Sequence, residues 1–257
     1  MMDYCEDGSL FSGERHGRVA VVKFKEDLLK NLTRLDAKER LFSFLDQIEV
    51  DQKVRVVLIF GAPRRMDQEE CQRFYKTFAT GQATLGDLER LNNAVNQFVL
   101  KMVQFRKMVI HAGSGRVAPV FFNMGFACDW RIAGDDTVFQ NPCVEMGLLP
   151  KGGGIFFFER LMGRGATATL LYSGRQICAT EALALGLVNR VVPSVRLETE
   201  ALRVAEGFSQ KSVTAILGIK RLLNYPVQAL SDFLDHEDEV IRNSLLKSFS
   251  AGNRIAS

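Results

Sequence analysis

Cysteine, histidine and tryptophan are scarce in this chain of 257 residues, at five, three and one. The cysteines (Cys5, Cys71, Cys128, Cys143, Cys178) are odd in number and widely spaced. With no C-x-x-C pair and no Cys/His ligand pattern, neither a disulfide framework nor a metal site is expected. Absent too are a GxxxxGK[ST] phosphate loop, a GxSxG nucleophile elbow and an HExxH zinc pair, which removes three function classes. Gly113-Ser-Gly115 is too short for a dinucleotide fingerprint. No apolar run reaches the ~18 residues of a membrane span. The acidic start, Met1-Met-Asp-Tyr-Cys-Glu-Asp-Gly-Ser-Leu10, is not a signal peptide. Charge of one sign is in small excess only: a net +3 suits a negatively charged small ligand and falls short of a nucleic-acid signature. The expectation is a soluble, cytoplasmic protein with reduced thiols, binding neither membrane nor nucleic acid.

What is present is ordinary globular material, 47% hydrophobic and 25% charged, enough for a sizeable core without staples. Arg18-Val-Ala-Val-Val-Lys-Phe24 reads as a strand. Val54-Arg-Val-Val-Leu-Ile-Phe-Gly61, nearly all apolar, reads as one buried on both faces. Between them Leu41, Phe42, Leu45 and Ile48 fall at helical spacing, giving a strand–helix–strand crossover. Thr84-Leu-Gly-Asp87 has capping-box form before a long amphipathic helix. Strands are also expected at 107–112, 129–133 and 187–192. After Pro193 the chain reads as mostly helical. Pro226 opens a last helix with Leu230, Phe233, Leu234, Ile241 and Leu245 as one stripe.

Two places carry a hint of chemistry. Asn123 is a lone polar residue within Pro119-Val-Phe-Phe-Asn-Met-Gly-Phe-Ala-Cys-Asp-Trp130, and a buried amide must be satisfied or used. Lys151-Gly-Gly-Gly154 precedes an apolar helix, so its backbone N–H groups can face an anion; a tight turn fits it as well. Two such helix starts, at Val120 and Gly154, would suit the stabilisation of an enolate or tetrahedral oxyanion. Each of the three histidines reads first as a surface or satisfied core residue. His111 is the exception, because it directly precedes the glycine loop Gly113-Ser-Gly-Arg116. Asp235-His-Glu-Asp-Glu239 reads as the solvated face of a helix.

Several segments together resemble the crotonase (enoyl-CoA hydratase/isomerase) superfamily. Ala127-Cys-Asp-Trp-Arg-Ile-Ala133 is similar to its ACDIRIA element. Phe139, Pro142, Gly147-Leu-Leu-Pro150, Gly153-Gly154 and Arg160-Leu-Met-Gly163 follow in the family's order. Leu171-Tyr-Ser-Gly-Arg-Gln-Ile-Cys-Ala-Thr-Glu-Ala182 and Gly186-Leu-Val-Asn-Arg-Val-Val-Pro193 resemble two further signatures. The resemblance implies an α/β crotonase (ClpP-like) fold of repeated ββα units over residues 1–193. It also implies a C-terminal helical trimerisation region over 194–257, in a homotrimer or dimer of trimers. The substrate it implies is an acyl thioester of coenzyme A or of an acyl-carrier protein, with no covalently bound cofactor. Met66 and Val120 would supply the oxyanion-hole N–H groups, and Arg64 and Arg65 could meet ligand phosphates.

The departures from the family pattern are specific. Asn123 stands where hydratases carry their first catalytic glutamate, and Cys143 where they carry the second. Hydration needs one group to deprotonate water and an acid to protonate the α-carbon, and an amide and a neutral thiol do neither well. Pro119-Val-Phe121 replaces a glycine triplet, Ala62-Pro-Arg-Arg-Met-Asp67 is shorter than usual, and the family's terminal F-x-x-K/R is missing. Asn123, Cys143 and Lys151 are the catalytic candidates, Lys151 as a cation for a carboxylate-bearing substrate or as a solvent-facing lysine. His111, Arg116 and Glu145 are weaker ones. The expectation is isomerase- or decarboxylase-like chemistry rather than hydration. The alternative is an impaired member that binds acyl-CoA or serves as an oligomeric scaffold.

Overall fold

Turn chemistry and close ring packing set the first strands. β1 (Cys5–Asp7), β2 (Phe11–His16) and β3 (Val19–Phe24) form an antiparallel meander. His16 pairs with Val19 across a two-residue hairpin, with Gly17 at φ 57°, a left-handed conformation that glycine adopts freely. The computed structural model of the chain describes residues 5–25, 28–61, 77, 82–117, 119–140, 143–144 and 147–250.

After α1 (Leu28–Leu32), α2 (Leu35–Val50) buries Leu41, Leu45 and Ile48 as the spacing predicts, but Phe44 is the buried ring and Phe42 is only half-buried. β4 (Val56–Phe60) lies parallel between β3 and β5 (Met108–Gly113). It is covered on both faces, which is why its sequence is continuously apolar. α3 (Leu85–Gln104) opens with the expected capping box. Thr84 Oγ1 accepts the N–H of Asp87 at 3.2 Å, and Asp87 Oδ2 accepts that of Thr84 at 2.7 Å.

β6 (Arg116–Val117) and α4 (Pro119–Gly125) follow β5. β7 (Trp130–Gly134) and β8 (Val138–Phe139) lead towards α5 (Gly154–Ser173), which is broken at Gly163, φ 77°. Then come β9 (Ile177–Cys178), α6 (Ala179–Ala184) and β10 (Arg190–Val192). The chain goes on through α7 (Leu197–Ser209), α8 (Val213–Leu223) and α9 (Val227–Ser250). The larger sheet runs β1-β2-β3-β4-β5-β7-β10, parallel from β3 onward, and the smaller runs β6-β8-β9. Each of β5–β6–α4 and β7–β8–α5 is a large-sheet strand, a small-sheet strand and a helix, the expected ββα repeat.

The last strand is shorter than its sequence suggests. Leu187 and Val188 are buried below β10, and both their N–H groups go to the Ala182 carbonyl, at 2.8 and 3.3 Å. That turn claims the donors a ladder would need. Side chains alternate across the large sheet. Val57, Ile59 and Val109 face α2, α3 and α9, while Val56, Leu58 and Ile110 face α7. A third cluster of rings clamps α4, with Phe122 stacked on Phe139 at 4.2 Å and Phe126 edge-on to Phe158 at 5.0 Å. Each buried phenyl contributes about 1.5–3 kcal/mol, so this short helix is held by packing rather than by its own length. Among the described residues no helix is long and apolar enough to cross a membrane.

Candidate functional site

Asn123 sits in the middle of α4 with no exposure at all. Its Nδ2 donates to the Lys151 carbonyl at 2.7 Å, while its Oδ1 is buried without a hydrogen-bond partner. The amide lies directly beneath Gly154: a Cβ there would stand 2.4–2.5 Å from its Cγ, Nδ2 and Oδ1. Gly152 covers the other side, where a Cβ would lie 3.5 Å from the Asn123 Cβ and 3.7 Å from the Val120 carbonyl. Asn123 therefore ties α4 to the glycine loop. Val120 is buried in the first turn of α4, where N–H groups lack intrahelical acceptors.

Lys151 is not solvent-facing. It is 5% exposed, and its ammonium is held by hydrogen bonds to Asn96 and Glu237 and by an ion pair with Asp238. Nζ lies 2.5 Å from Asn96 Oδ1, 3.0 Å from Glu237 Oε2 and 2.8 Å from Asp238 Oδ1. Asn96 in turn donates to Asp238 Oδ2 at 2.8 Å. Glu237 also accepts the N–H of Gly152 on Oε2 at 3.0 Å and that of Gly153 on Oε1 at 3.1 Å. Gly152 and Gly153 have φ 93° and 72°, consecutive left-handed residues whose N–H groups converge on one carboxylate. Burial pushes the Glu237 carboxyl up, against the pull of Lys151 and the two N–H groups.

This corrects the reading of Asp235-His-Glu-Asp-Glu239 as a solvated face. Asp235, His236 and Glu239 are exposed, but Glu237 is buried and Asp238 half-buried. A signal for this existed. Glu237 falls between Leu234 and Ile241 on the apolar stripe of α9, and a charge on a buried stripe needs a buried partner.

The other candidates are dispersed. Cys143 packs in an apolar cluster with Leu88, Leu148, Ile241 and Leu245. His111, half-buried on β5, fits between glycines: a Cβ on Gly125 would lie 3.2 Å from its Nδ1 and one on Gly61 3.4 Å from its Nε2. Desolvation, and then the charge of Arg131 beside it on β7, lower its pKa to about 4, so the imidazole is neutral at pH 7. Arg116 is exposed on β6. Met66, Arg64, Arg65 and Glu145 lie outside the described residues. Among the described residues no group of three or more His, Cys, Asp or Glu could hold a metal ion.

A cavity of about 470 Å³ lies elsewhere, lined by Phe126, Trp130, Phe157, Arg160, Lys220 and Leu223 among others, and by none of the sequence candidates. At its wall Lys220 Nζ pairs with Asp129 Oδ2 at 2.8 Å and donates to the Lys107 carbonyl at 3.2 Å.

The enoyl-CoA hydratase/isomerase family model matches residues 14–248. The chain is 27% identical over 223 residues to a short-chain-enoyl-CoA hydratase of Clostridium acetobutylicum, covering 84% of this chain and 81% of the relative. The solved enoyl-CoA hydratase of Bacillus halodurans superposes with a TM-score of 0.75 at 21% identity, over 92% of this chain and 95% of that one. A solved methylmalonyl-CoA decarboxylase in complex with 2-nitronate-propionyl-CoA gives 0.70 at 22%, over 91% and 90%.

Proposed function

Since the chain belongs to the enoyl-CoA hydratase/isomerase family, we propose that it binds an acyl thioester of coenzyme A and polarises its carbonyl without adding water. Backbone N–H groups, that of Val120 among them, would stabilise negative charge on the thioester oxygen. The observation that carries the reading is Asn123. In the resemblance it stands in the place of the first hydratase glutamate. Here its amide is fully buried and donates to the Lys151 carbonyl, which supports a structural role. An amide is no base for water. Cys143, in the second place, lies in an apolar cluster and offers no carboxylic acid for the α-carbon.

A second reading, turnover of the isomerase or decarboxylase kind, is favoured by the Lys151–Glu237 pair. That pair places a buried carboxylate with a raised pKa at the loop next to Asn123. Both readings are tested by calorimetric titration with acetyl-CoA, crotonyl-CoA and a dicarboxylic acyl-CoA, followed by mass spectrometry of the incubated thioesters. Saturable binding with crotonyl-CoA left unhydrated is expected. Conversion to the 3-hydroxyacyl thioester at an ordinary enzymatic rate, about 1–10³ per second, would overturn the proposal. Loss or movement of a group in another thioester would select the second reading.

A further inference from the structure

The cavity of about 470 Å³ at the start of β7 lies at the far end of α4 from Val120, where Phe126 and Trp130 enter its wall. Ligand pockets of ~300–1,000 Å³ are mostly apolar, with a few polar groups that fix orientation. This one has that make-up. Phe156 and Phe157 come to it from α5, Phe208 from α7, and Ile216 and Leu223 from α8. Its charges do not balance. Arg131, Arg160 and Lys220 line it against a single carboxylate, Asp129, which Lys220 already holds at 2.8 Å. Each guanidinium lies instead over a ring of the wall, Arg131 over Phe126 at 5.5 Å and Arg160 over Phe156 at 5.3 Å. Arg131 donates through Nε and Nη1 to the Leu187 and Cys128 carbonyls at 2.8 and 3.0 Å, which leaves its Nη2 over. Among the described residues neither arginine is paired with a carboxylate. Trp130, on the same wall, has its indole N–H buried without an acceptor. The lining is short of negative charge and of acceptors, and rich in apolar surface.

We propose that this cavity is a second ligand site, taken by an amphipathic monocarboxylate of the medium-chain fatty-acid kind. The aliphatic body would displace water from the apolar wall between α5 and α8. The carboxylate would supply the negative charge that the two guanidiniums lack, and a planar guanidinium matches it bidentately. A guanidinium already stacked on a ring loses little freedom in taking that partner. A neutral chain of the same length gains the burial alone. The site does not depend on the thioester reading, because none of Val120, Asn123 and Lys151 lines it. Ile219 and Leu223 of α8 are both exposed and in the lining, so the ligand would lie beneath any chain docked on that helix.

Trp130 is the only tryptophan of the chain, so its emission reports on this wall alone. The test titrates decanoate, decanol and decanoyl-CoA into the full chain and into Arg160→Gln, a substitution at an exposed position of α5. Decanoate should shift the Trp130 emission saturably, at one site per chain by calorimetry. Decanol should bind about tenfold or more weakly, because the charge-assisted hydrogen bonds are lost. Arg160→Gln should weaken decanoate and leave decanol as it was. Decanoyl-CoA held at the start of α4 should leave Trp130 unmoved. No saturable shift with decanoate, or equal affinity for decanoate and decanol, overturns the proposal. So does decanoate binding alike to both proteins, which would leave the carboxylate without its assigned partner. A shift with decanoyl-CoA and none with decanoate would make the cavity part of the thioester site, and the proposal would fall while the thioester reading stood.

Discussion

At the scale of single residues, buried titratable groups set opposing pH dependences. His111 has its pKa lowered from 6.5 to about 4, chiefly by desolvation. As pH falls below 6.5 the unfolded chain takes up this proton first, so stability is lost between there and pH 4. The loss is up to about 3 kcal/mol. Glu237 acts with the other sign. Its pKa is raised above 4.5 by burial, so on acidification the folded chain takes up the proton first. The stability it adds there is lost as pH rises through the folded value. Urea midpoints at pH 7 and pH 5 separate the two. His111→Gln should fall less on acidification than the unaltered chain, and Glu237→Gln should fall more. Identical pH dependence in all three proteins would show that neither shift exists. Asn123→Glu is the complementary case. The added methylene and charge enter a site with no exposure, facing the Lys151 carbonyl, which is an acceptor. A loss of about 2–3 kcal/mol is expected with no gain of crotonyl-CoA hydration, read by denaturant midpoint and by absorbance of the enoyl thioester. Hydration by a stable Asn123→Glu protein would mean that the position opens on a substrate.

At the scale of elements, α8 is pinned by one side chain. Lys220 is buried and joins α8 to the start of β7 through Asp129 and to the residue before β5 through the Lys107 carbonyl. Asp129 also accepts the Val109 N–H at 2.8 Å, and desolvation pushes its pKa up despite Lys220. Lys220→Met leaves that carboxylate buried without its cation and should cost about 3 kcal/mol in urea unfolding. The double variant with Asp129→Asn should recover part of the loss; if it loses as much again, the two side chains do not act as a pair. These helices also show what was legible in the sequence. The faces of α2 and α3, the capping box at Thr84 and the strands β3, β4, β5 and β7 all follow from periodicity and local hydrogen bonding. What did not follow is the company Lys151 keeps. Its partners Asn96, Glu237 and Asp238 come from α3 and α9, far away in sequence, and only the packing of α9 on α3 brings them together. The register of the α9 stripe marked Glu237 as inward, but the surrounding run of charges masked it.

At the scale of the whole molecule, the surface bears on assembly. The end of α8 and the turn after it expose Ile219, Leu222, Leu223 and Tyr225, by 59%, 79%, 71% and 86%. Single exposed apolar residues are normal, but neighbours in one short segment form a patch that water disfavours and a partner would cover. The segment also rims the cavity lined by Phe157, Arg160 and Leu223. Assembly of chains through this helical end would account for both features, and we predict the homotrimer or dimer of trimers expected from the sequence. Light scattering coupled to size exclusion should then give three or six times the chain mass. Leu222→Glu with Tyr225→Ser should shift it to one, because two of the most exposed apolar side chains would then disfavour burial. Both positions are exposed in the single chain, so the folded monomer should keep its thermal unfolding midpoint to within a few degrees. A monomer in the unaltered protein at micromolar concentration, or a variant that stays oligomeric, would place the contact elsewhere. The same monomeric variant then decides whether the pairing of Glu237 with Lys151 and the glycine loop is a property of one chain. These contacts join α9 to α3 and the glycine loop within a single chain, so slow hydrogen exchange around Glu237 should survive the loss of the oligomer.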